Sequence, residues 1–303
     1  MLAELEALMA VAAAGSMERA ANQLYLTPSA LTRRIQRLEA ELGLVLVDRR
    51  FKPPKLTAAG SEVLEKSRAI LSSVGDLKAL TTGNGAPSGR FRLGLSHALA
   101  QPEIAHVIIE LGRKFPLLQP SLCNDVTPQL LARVRLGELD GALVVLPTES
   151  ALPHDLEGVV LSREAMLVVQ ARTSARRKST RVPELCRRNW VLNPAGCLVR
   201  EEIKNRVERL GFPFMVVAEL HNPDLQLALI AAGVGVGMVR ASYLRTHPLR
   251  SQVRLVEDSS FNISVRIGFF CGGHLGTLAQ AAIELQRILV KHFEDAGKRK
   301  RPI

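Results

Sequence analysis

Four cysteines and seven histidines are the residues through which this 303-residue chain could bind a metal or act as a thiolate. Cys123, Cys186, Cys197 and Cys271 form no CxxC pair, and no two histidines stand at HxxxH spacing. The sequence therefore predicts no metal site and no cofactor. Cys197 has the most suggestive setting. It stands in "AGCLVREEI" (195–203) at the start of a helical pattern, where free N–H groups can favour a thiolate. "GVGVG" (233–237) resembles a phosphate cradle only loosely, because no lysine or Ser/Thr pair follows it. No nucleophile sits in a recognisable elbow, and no GxGxxG follows a strand. These absences argue against an enzyme.

Hydrogen-bonding side chains at helical spacing make the stronger pattern. In "AANQLYLTPSALTRRIQRLE" (20–39) a short helix, Met17 to Leu24, follows Ser16 as its N-cap and stops at "YLT", a tight turn. Thr27 then caps a further helix with Pro28 at its first position, where a missing N–H costs nothing. Leu31, Ile35, Leu38 and Leu42 form its core stripe, and Gly43 ends it. Ser29, Thr32, Arg33 and Gln36 fall on the opposite face, with Arg34 and Arg37 beside them. Ala20 and Ala21 are small enough for the two helices to approach. This predicts a helix-turn-helix whose second helix can enter a major groove. A preceding helix places Leu2, Leu5, Leu8, Met9 and Ala12 on one face. "LVLVDRRFKPPKLTAAG" (44–60) adds a basic hairpin, whose Arg49, Arg50, Lys52 and Lys55 could reach phosphates.

These elements sit in a chain of ordinary composition, 47% hydrophobic and 23% charged, long enough for about two domains. The net charge of +11 is not concentrated on the helix-turn-helix. Residues 1–60 hold eight Lys/Arg against six Asp/Glu. Residues 172–188 hold seven against one, and the tail from Lys291 five against two. A solvated basic face and an unstructured tail account for the last two. The apolar N-terminus carries Glu4 and Glu6 where a secretory signal would carry lysine or arginine. The run "LALIAAGVGVGMV" (227–239) is too short and glycine-rich to span a bilayer. No membrane contact and a cytoplasmic location follow as expectations.

From Thr57 a helix should run to about Leu80. Val63, Ile70 and Leu77 repeat every seven residues, with Val74 between the last two, and form a seam for pairing with a second copy. "TTGNGAPSG" (81–89) reads as a linker. Beyond it, strands at 91–96, 121–126 and 141–146 alternate with helices, followed by "AMLVVQ", "WVLN", "FMVVAEL" and "SVRIGFF". That alternation predicts an α/β domain with a mostly parallel sheet and a ligand site beyond the strand ends.

Residues 1–60 resemble the winged helix-turn-helix of LysR-type transcriptional regulators. The resemblance is carried by Ser16, Ala20-Ala21, Leu24, "LTPSALTRRI" (26–35), "LEAELG" (38–43), Arg49 and "LTAAG" (56–60). "GELDGALV" (137–144), "AGCLVREEI" and "ALIAAGVGVGMV" (228–239) extend it more loosely. Val47 departs from the family's usual Phe before the Asp-Arg of the wing. The resemblance implies an N-terminal winged helix-turn-helix, a linker helix and a two-lobed α/β effector domain similar to periplasmic binding proteins. The corresponding boundaries are 1–60, 61–89 and 90–303, with lobe I at about 90–163 and 269–296 and lobe II at about 164–268. Implied partners are double-stranded promoter DNA, a small-molecule effector, further copies of the chain as homodimer or homotetramer, and RNA polymerase.

The implied DNA contacts are Ser16, Thr27, Pro28, Ser29, Thr32, Arg33, Arg34, Gln36, Arg37, Arg49, Arg50, Lys52 and Lys55. Candidate effector residues lie at strand ends and helix starts: Ser96, His97, Thr127, Asn193, Gly196, Cys197, His221 and Asn222. Thr127 and Asn222, each followed by proline, also read as N-caps. Several helix N-termini facing one cleft favour a small anion, such as a carboxylate. The alternative is a redox sensor using Cys197, as in the peroxide-sensing branch of the family. That branch carries its resolving cysteine about nine residues later, where this chain has Arg206.

Overall fold

The computed structural model describes residues 1–51, 53–81, 86–173, 187–256, 261–273 and 275–298. Lys52, Cys186, most of the basic segment 172–188 and the tail beyond 298 lie outside them. The chain divides into two compact units. The first is Met1–Ala86 with His274–Ala279, the second Pro87–Gly273 with Gln280–Ile303.

In the first unit α1 (Leu2–Ala14), α2 (Met17–Gln23) and α3 (Pro28–Leu42) close on one core. Leu5, Leu8, Ala20, Ala21, Leu31, Ile35 and Leu38 are buried in it. Ser16 and Thr27 cap their helices as the sequence predicts, accepting from Arg19 N and Ala30 N. Gly43 ends α3 in the left-handed conformation. β1 (Val47–Asp48) and β2 (Lys55–Leu56) form the wing, and α4 (Ala58–Thr81) follows. Val47 is buried, so the smaller residue still fills the core at the wing's base.

"LTAAG" has a steric reason. A Cβ on Gly60 would lie 2.1 Å from the Leu46 carbonyl oxygen, so only glycine lets α4 start against that strand. Thr57 caps this start, accepting from Gly60 N at 2.9 Å while donating to Val45 O at 2.7 Å.

The second unit is built on a seven-stranded sheet. β3 (Gly89–Ser96) pairs in parallel with β4 (Leu118–Asp125) and β5 (Gly141–Pro147). α5 (Pro102–Lys114) and α6 (Thr127–Arg135) connect these strands. β6 (Glu157–Ala171) then carries the chain into a second lobe, and β11 (Ile263–Cys271) brings it back antiparallel to β6 and β5. In that lobe β7 (Trp190–Leu192) and β8 (Val216–Glu219) pair in parallel. β9 (Gly237–Arg240) and β10 (Val253–Leu255) pair antiparallel with the far half of β6. Helices α7 (Leu198–Arg209), α8 (Pro223–Ala231) and α9 (Ala241–Thr246) complete it. α10 (Ala279–Lys298) ends the described chain.

The expectation of a mostly parallel sheet is corrected. Among the described strands of this unit three pairings are parallel and four antiparallel. Two strands that cross between lobes in opposite directions must pair antiparallel, and apolar periodicity does not report strand direction. "GELDGALV" anchors this sheet. Asp140, buried before β5, accepts from Arg92 N and Nη2 on β3, both at 2.6 Å.

Candidate functional site

The first candidate surface is the exposed face of α3. The buried stripe Leu31/Ile35/Leu38 turns Ser29, Arg33, Gln36 and Arg37 to solvent, with Thr32 and Arg34 half-buried. Arg33 and Arg37 make no hydrogen bond or ion pair to any described residue, which leaves their guanidinium forks available. The Thr32 hydroxyl donates to Pro28 O at 2.8 Å, and Thr27 and Ser29 share a hydroxyl pair at 3.1 Å.

The wing cations are less available than the sequence suggests. Arg49 pairs with Glu39 at 3.1 Å and Arg50 with Asp48 at 2.6 Å. The Arg50 guanidinium and backbone N–H hold the Asp48 carboxyl down to about 2. Lys55 lies over the Phe51 ring, 4.9 Å from its centroid. Glu39 was not singled out in the sequence, yet it fixes the wing to α3 by accepting from Leu46 N and Val47 N at 2.9 and 3.1 Å. A glutamate on a helix face carries no signal of partners seven and eight residues later.

Along α4, Val63 packs against the core of its own unit, Val74 is half-buried, and Ile70 and Leu77 are exposed. The seam is therefore free at two of its four positions.

The second candidate is a cavity of about 50 Å³ between the two lobes. Ser96, His97, Thr127, Asn193 and Cys197 line it together with Arg200 and Arg240. Gly196, His221 and Asn222 do not line it. Gly196 supplies the left-handed turn, φ +88°, that brings the chain to Cys197. His221 lies against His97, with ring centroids 4.0 Å apart and planes tilted by 43°. Asn222 caps α8, accepting from Asp224 N and Leu225 N.

Thr127 is not the cap of α6. Val126 holds the N-cap position, and the buried Thr127 hydroxyl donates to Val145 O at 2.9 Å. A carbonyl on the neighbouring strand outcompetes the local N–H groups, which a Thr-Pro dipeptide cannot reveal.

Three helical starts reach this cavity without a side-chain cap: the 3-10 turn His97–Leu99, α6 and α7. At α7 the Cys197 sulfur faces the backbone N–H groups of Val199 and Arg200, and the free N–H groups at the other starts favour negative charge. The Ser96 hydroxyl, 5% exposed, has no hydrogen-bond partner among the described residues. Among the described residues Asp125 is the one carboxylate on the lining. It accepts from Val126 N at 2.8 Å.

Arg200 and Arg240 are the cations there, and sequence reasoning missed both. Arg200 donates to Asn193 O at 3.1 Å and to Glu219 at 2.7 Å. Arg240 is 6% exposed and pairs with Glu164. Burial draws its guanidinium below the ordinary value while Glu164 opposes the shift. The setting of Cys197 disfavours a thiolate. Burial pushes its pKa up, outweighing the backbone N–H groups of Arg200 and Val199. Among the described residues no group of histidines, cysteines and carboxylates could hold a metal. No described helix is long and apolar enough to cross a membrane.

Comparison with known proteins follows the same division. Residues 2–61 match the bacterial regulatory helix-turn-helix protein family, lysR family, and residues 84–285 match the LysR substrate binding domain. The HTH-type transcriptional regulator YofA of Bacillus velezensis is 29% identical over 84% of this chain and 85% of its own. A probable hydrogen peroxide-inducible genes activator of Mycobacterium xenopi is 36% identical, over 53% of this chain and 88% of its own. The fold is similar to that of ArgP from Mycobacterium tuberculosis, with a TM-score of 0.71 at 20% identity, covering 94% of this chain and 96% of that one.

Proposed function

Because the chain belongs to the LysR family of transcriptional regulators, we propose that it recognises promoter DNA through α3 and answers to a small anion held in the cleft between its lobes. In this reading residues 1–60 bind DNA, 61–89 pair two copies through Ile70 and Leu77, and 90–303 bind the effector. The lobes divide near residues 163 and 268, on the crossing strands β6 and β11. The molecule works in the cytoplasm as a homodimer or homotetramer, by binding rather than catalysis, and meets RNA polymerase at the promoter.

On the DNA side, Ser29, Thr32, Arg33, Gln36 and Arg37 read or flank bases, with Ser16, Thr27, Pro28 and Arg34 at the helix starts and flank. Arg49, Arg50, Lys52 and Lys55 position the wing on phosphates. Arg33→Ala should cost about 1–3 kcal/mol and relax preference at particular bases. Lys55→Ala should weaken all duplexes alike and lower the salt slope by about one. Unchanged sequence preference in Arg33→Ala would remove that residue from the reading set.

One observation carries the effector side. A buried, unpartnered Ser96 hydroxyl shares a cavity with three uncapped helical starts and two guanidinium groups. A carboxylate there would accept from the Ser96 hydroxyl and from N–H groups at the helical starts. The two guanidinium groups, already paired within the chain, would supply positive charge nearby. The cavity is small, about 50 Å³, which suits a small ligand. Thr127, Asn193, Cys197 and His97 shape the walls, while Gly196, His221 and Asn222 support them.

Ser96→Ala in the full-length protein tests this. Removing a buried hydroxyl that has no partner should leave stability equal or raise it by about 1 kcal/mol. Affinity for the tightest binder from a panel of small carboxylates should fall about tenfold. A variant that binds as well as wild type, or a panel in which only cations bind, would remove the anion from the proposal. The redox alternative has no comparable support, because the half-buried Cys197 thiol has its pKa raised by desolvation.

A further inference from the structure

We infer that Tyr25 is a DNA-backbone contact, held beside the reading helix by a turn that is strained in the isolated protein. Tyr25 is the one non-glycine residue among those described with positive φ, at +55°. α2 ends in a paired-bond turn: Tyr25 N donates to Asn22 O at 3.2 Å, and Leu26 N to Ala21 O at 2.9 Å. That turn places the residue after the C-cap in the left-handed region, which glycine occupies without penalty and asparagine at little. A tyrosine there crowds its own backbone, and a bulky residue in this region is an outlier that calls for a compensating interaction.

The turn is held by its two hydrogen bonds and by Leu24 and Leu26 packed on the core, but the Tyr25 side chain itself adds nothing among the described residues. Tyr25 is 97% exposed, so its ring buries nothing. Its hydroxyl makes no hydrogen bond to any described residue. The exposed ring and hydroxyl are thus left for a contact outside the protein, and the neighbourhood points to one. Tyr25 closes the first helix of the helix-turn-helix and stands two residues before Thr27, the cap of α3. In such motifs the first helix crosses the sugar-phosphate backbone while the second enters the groove. A neutral phenol at that junction can donate to a phosphate oxygen and pack its ring on the sugar. Tyrosine is among the side chains that make such backbone contacts.

This inference rests on the DNA-binding reading above, and its test separates the two. Full-length wild type, Tyr25→Phe and Tyr25→Asn are titrated against two duplexes, one selected by wild type from a random pool and one of mixed sequence. Tyr25→Phe should weaken both by about three- to tenfold per contact, as loss of one hydrogen bond does. The salt slope should not change, because a neutral donor releases no counterion. Tyr25→Asn should weaken both at least as much while its melting temperature rises, since asparagine tolerates the left-handed turn. Both variants binding within twofold of wild type would overturn the inference. So would Tyr25→Asn losing melting temperature along with affinity, which would make the ring structural. Loss confined to the selected duplex would make Tyr25 a base reader and overturn the backbone assignment. Wild type binding neither duplex would overturn the DNA-binding reading itself, and this inference with it.

Discussion

Arg240 and Glu164 lie 3.4 Å apart with only 6% and 9% of their side chains exposed, one ending β9 and the other on β6. The guanidinium also donates to Ala98 O at 3.0 Å and to Gln101 Oε1 at 2.9 Å, beyond the end of β3. Ser242 completes the group, donating to the second Glu164 oxygen at 2.6 Å. One buried cation thus ties the corner after β9 to the turn after β3, and so ties lobe to lobe.

Removing that cation alone leaves a buried carboxylate without its counter-charge. Arg240→Met should therefore cost about 3–5 kcal/mol in urea unfolding. Arg240→Met with Glu164→Leu should recover much of that loss, because the pair's desolvation penalty disappears with the pair. A double variant no more stable than the single one would show that the neutral hydrogen bonds, and not the charges, hold this corner.

The contact of His97 with His221 predicts a pH dependence. The His97 pKa is lowered, first by burial and then by His221, with Asp125 opposing. His292 is likewise lowered by burial. A histidine with a depressed folded-state pKa binds its proton more readily in the unfolded chain. Its contribution is complete above the ordinary value near 6.5 and is lost as pH falls through the folded value. The urea midpoint should therefore fall between about pH 7.5 and pH 5.5, more steeply in wild type than in His97→Gln. Equal slopes would mean that His97 does not couple to folding.

Cys197 should be a slow thiol. A raised pKa leaves less thiolate at neutral pH, and thiolate is the reacting form. Its labelling by iodoacetamide should be slower than that of a free cysteine peptide. Cys197→Ser should leave any response of DNA binding to peroxide or diamide unchanged. Rapid labelling, or an oxidant response lost in that variant with DNA affinity intact, would promote the thiol to sensor.

Much of the first unit was legible because its determinants are local. A cap and its helix lie within four residues, so Ser16 and Thr27 could be read directly, and the stripe Leu31/Ile35/Leu38 follows from helical period alone. The wing's internal pairing was not legible. Arg50 and Asp48 are neighbours in sequence, but whether they meet each other or a phosphate depends on side-chain placement. In the second unit, strand segments were readable from apolar runs, whereas their directions and partners were not.

The sequence by itself determined the helix-turn-helix, the strand-and-helix alternation beyond it, and the family, because short-range periodicity and capping encode them. Tertiary structure decided what identical local signals mean. Thr27-Pro28, Thr127-Pro128 and Asn222-Pro223 read alike, yet Thr27 and Asn222 cap their helices while the Thr127 hydroxyl turns to Val145 O, eighteen residues away. The same holds for the cleft. Ser96 was visible as a strand end, but its unpartnered hydroxyl, and the cavity it shares with Arg200 and Arg240, exist only once β3, α7 and β9 pack together. Contacts between residues a hundred positions apart depend on which surfaces are buried together, and no local pattern in the chain records that.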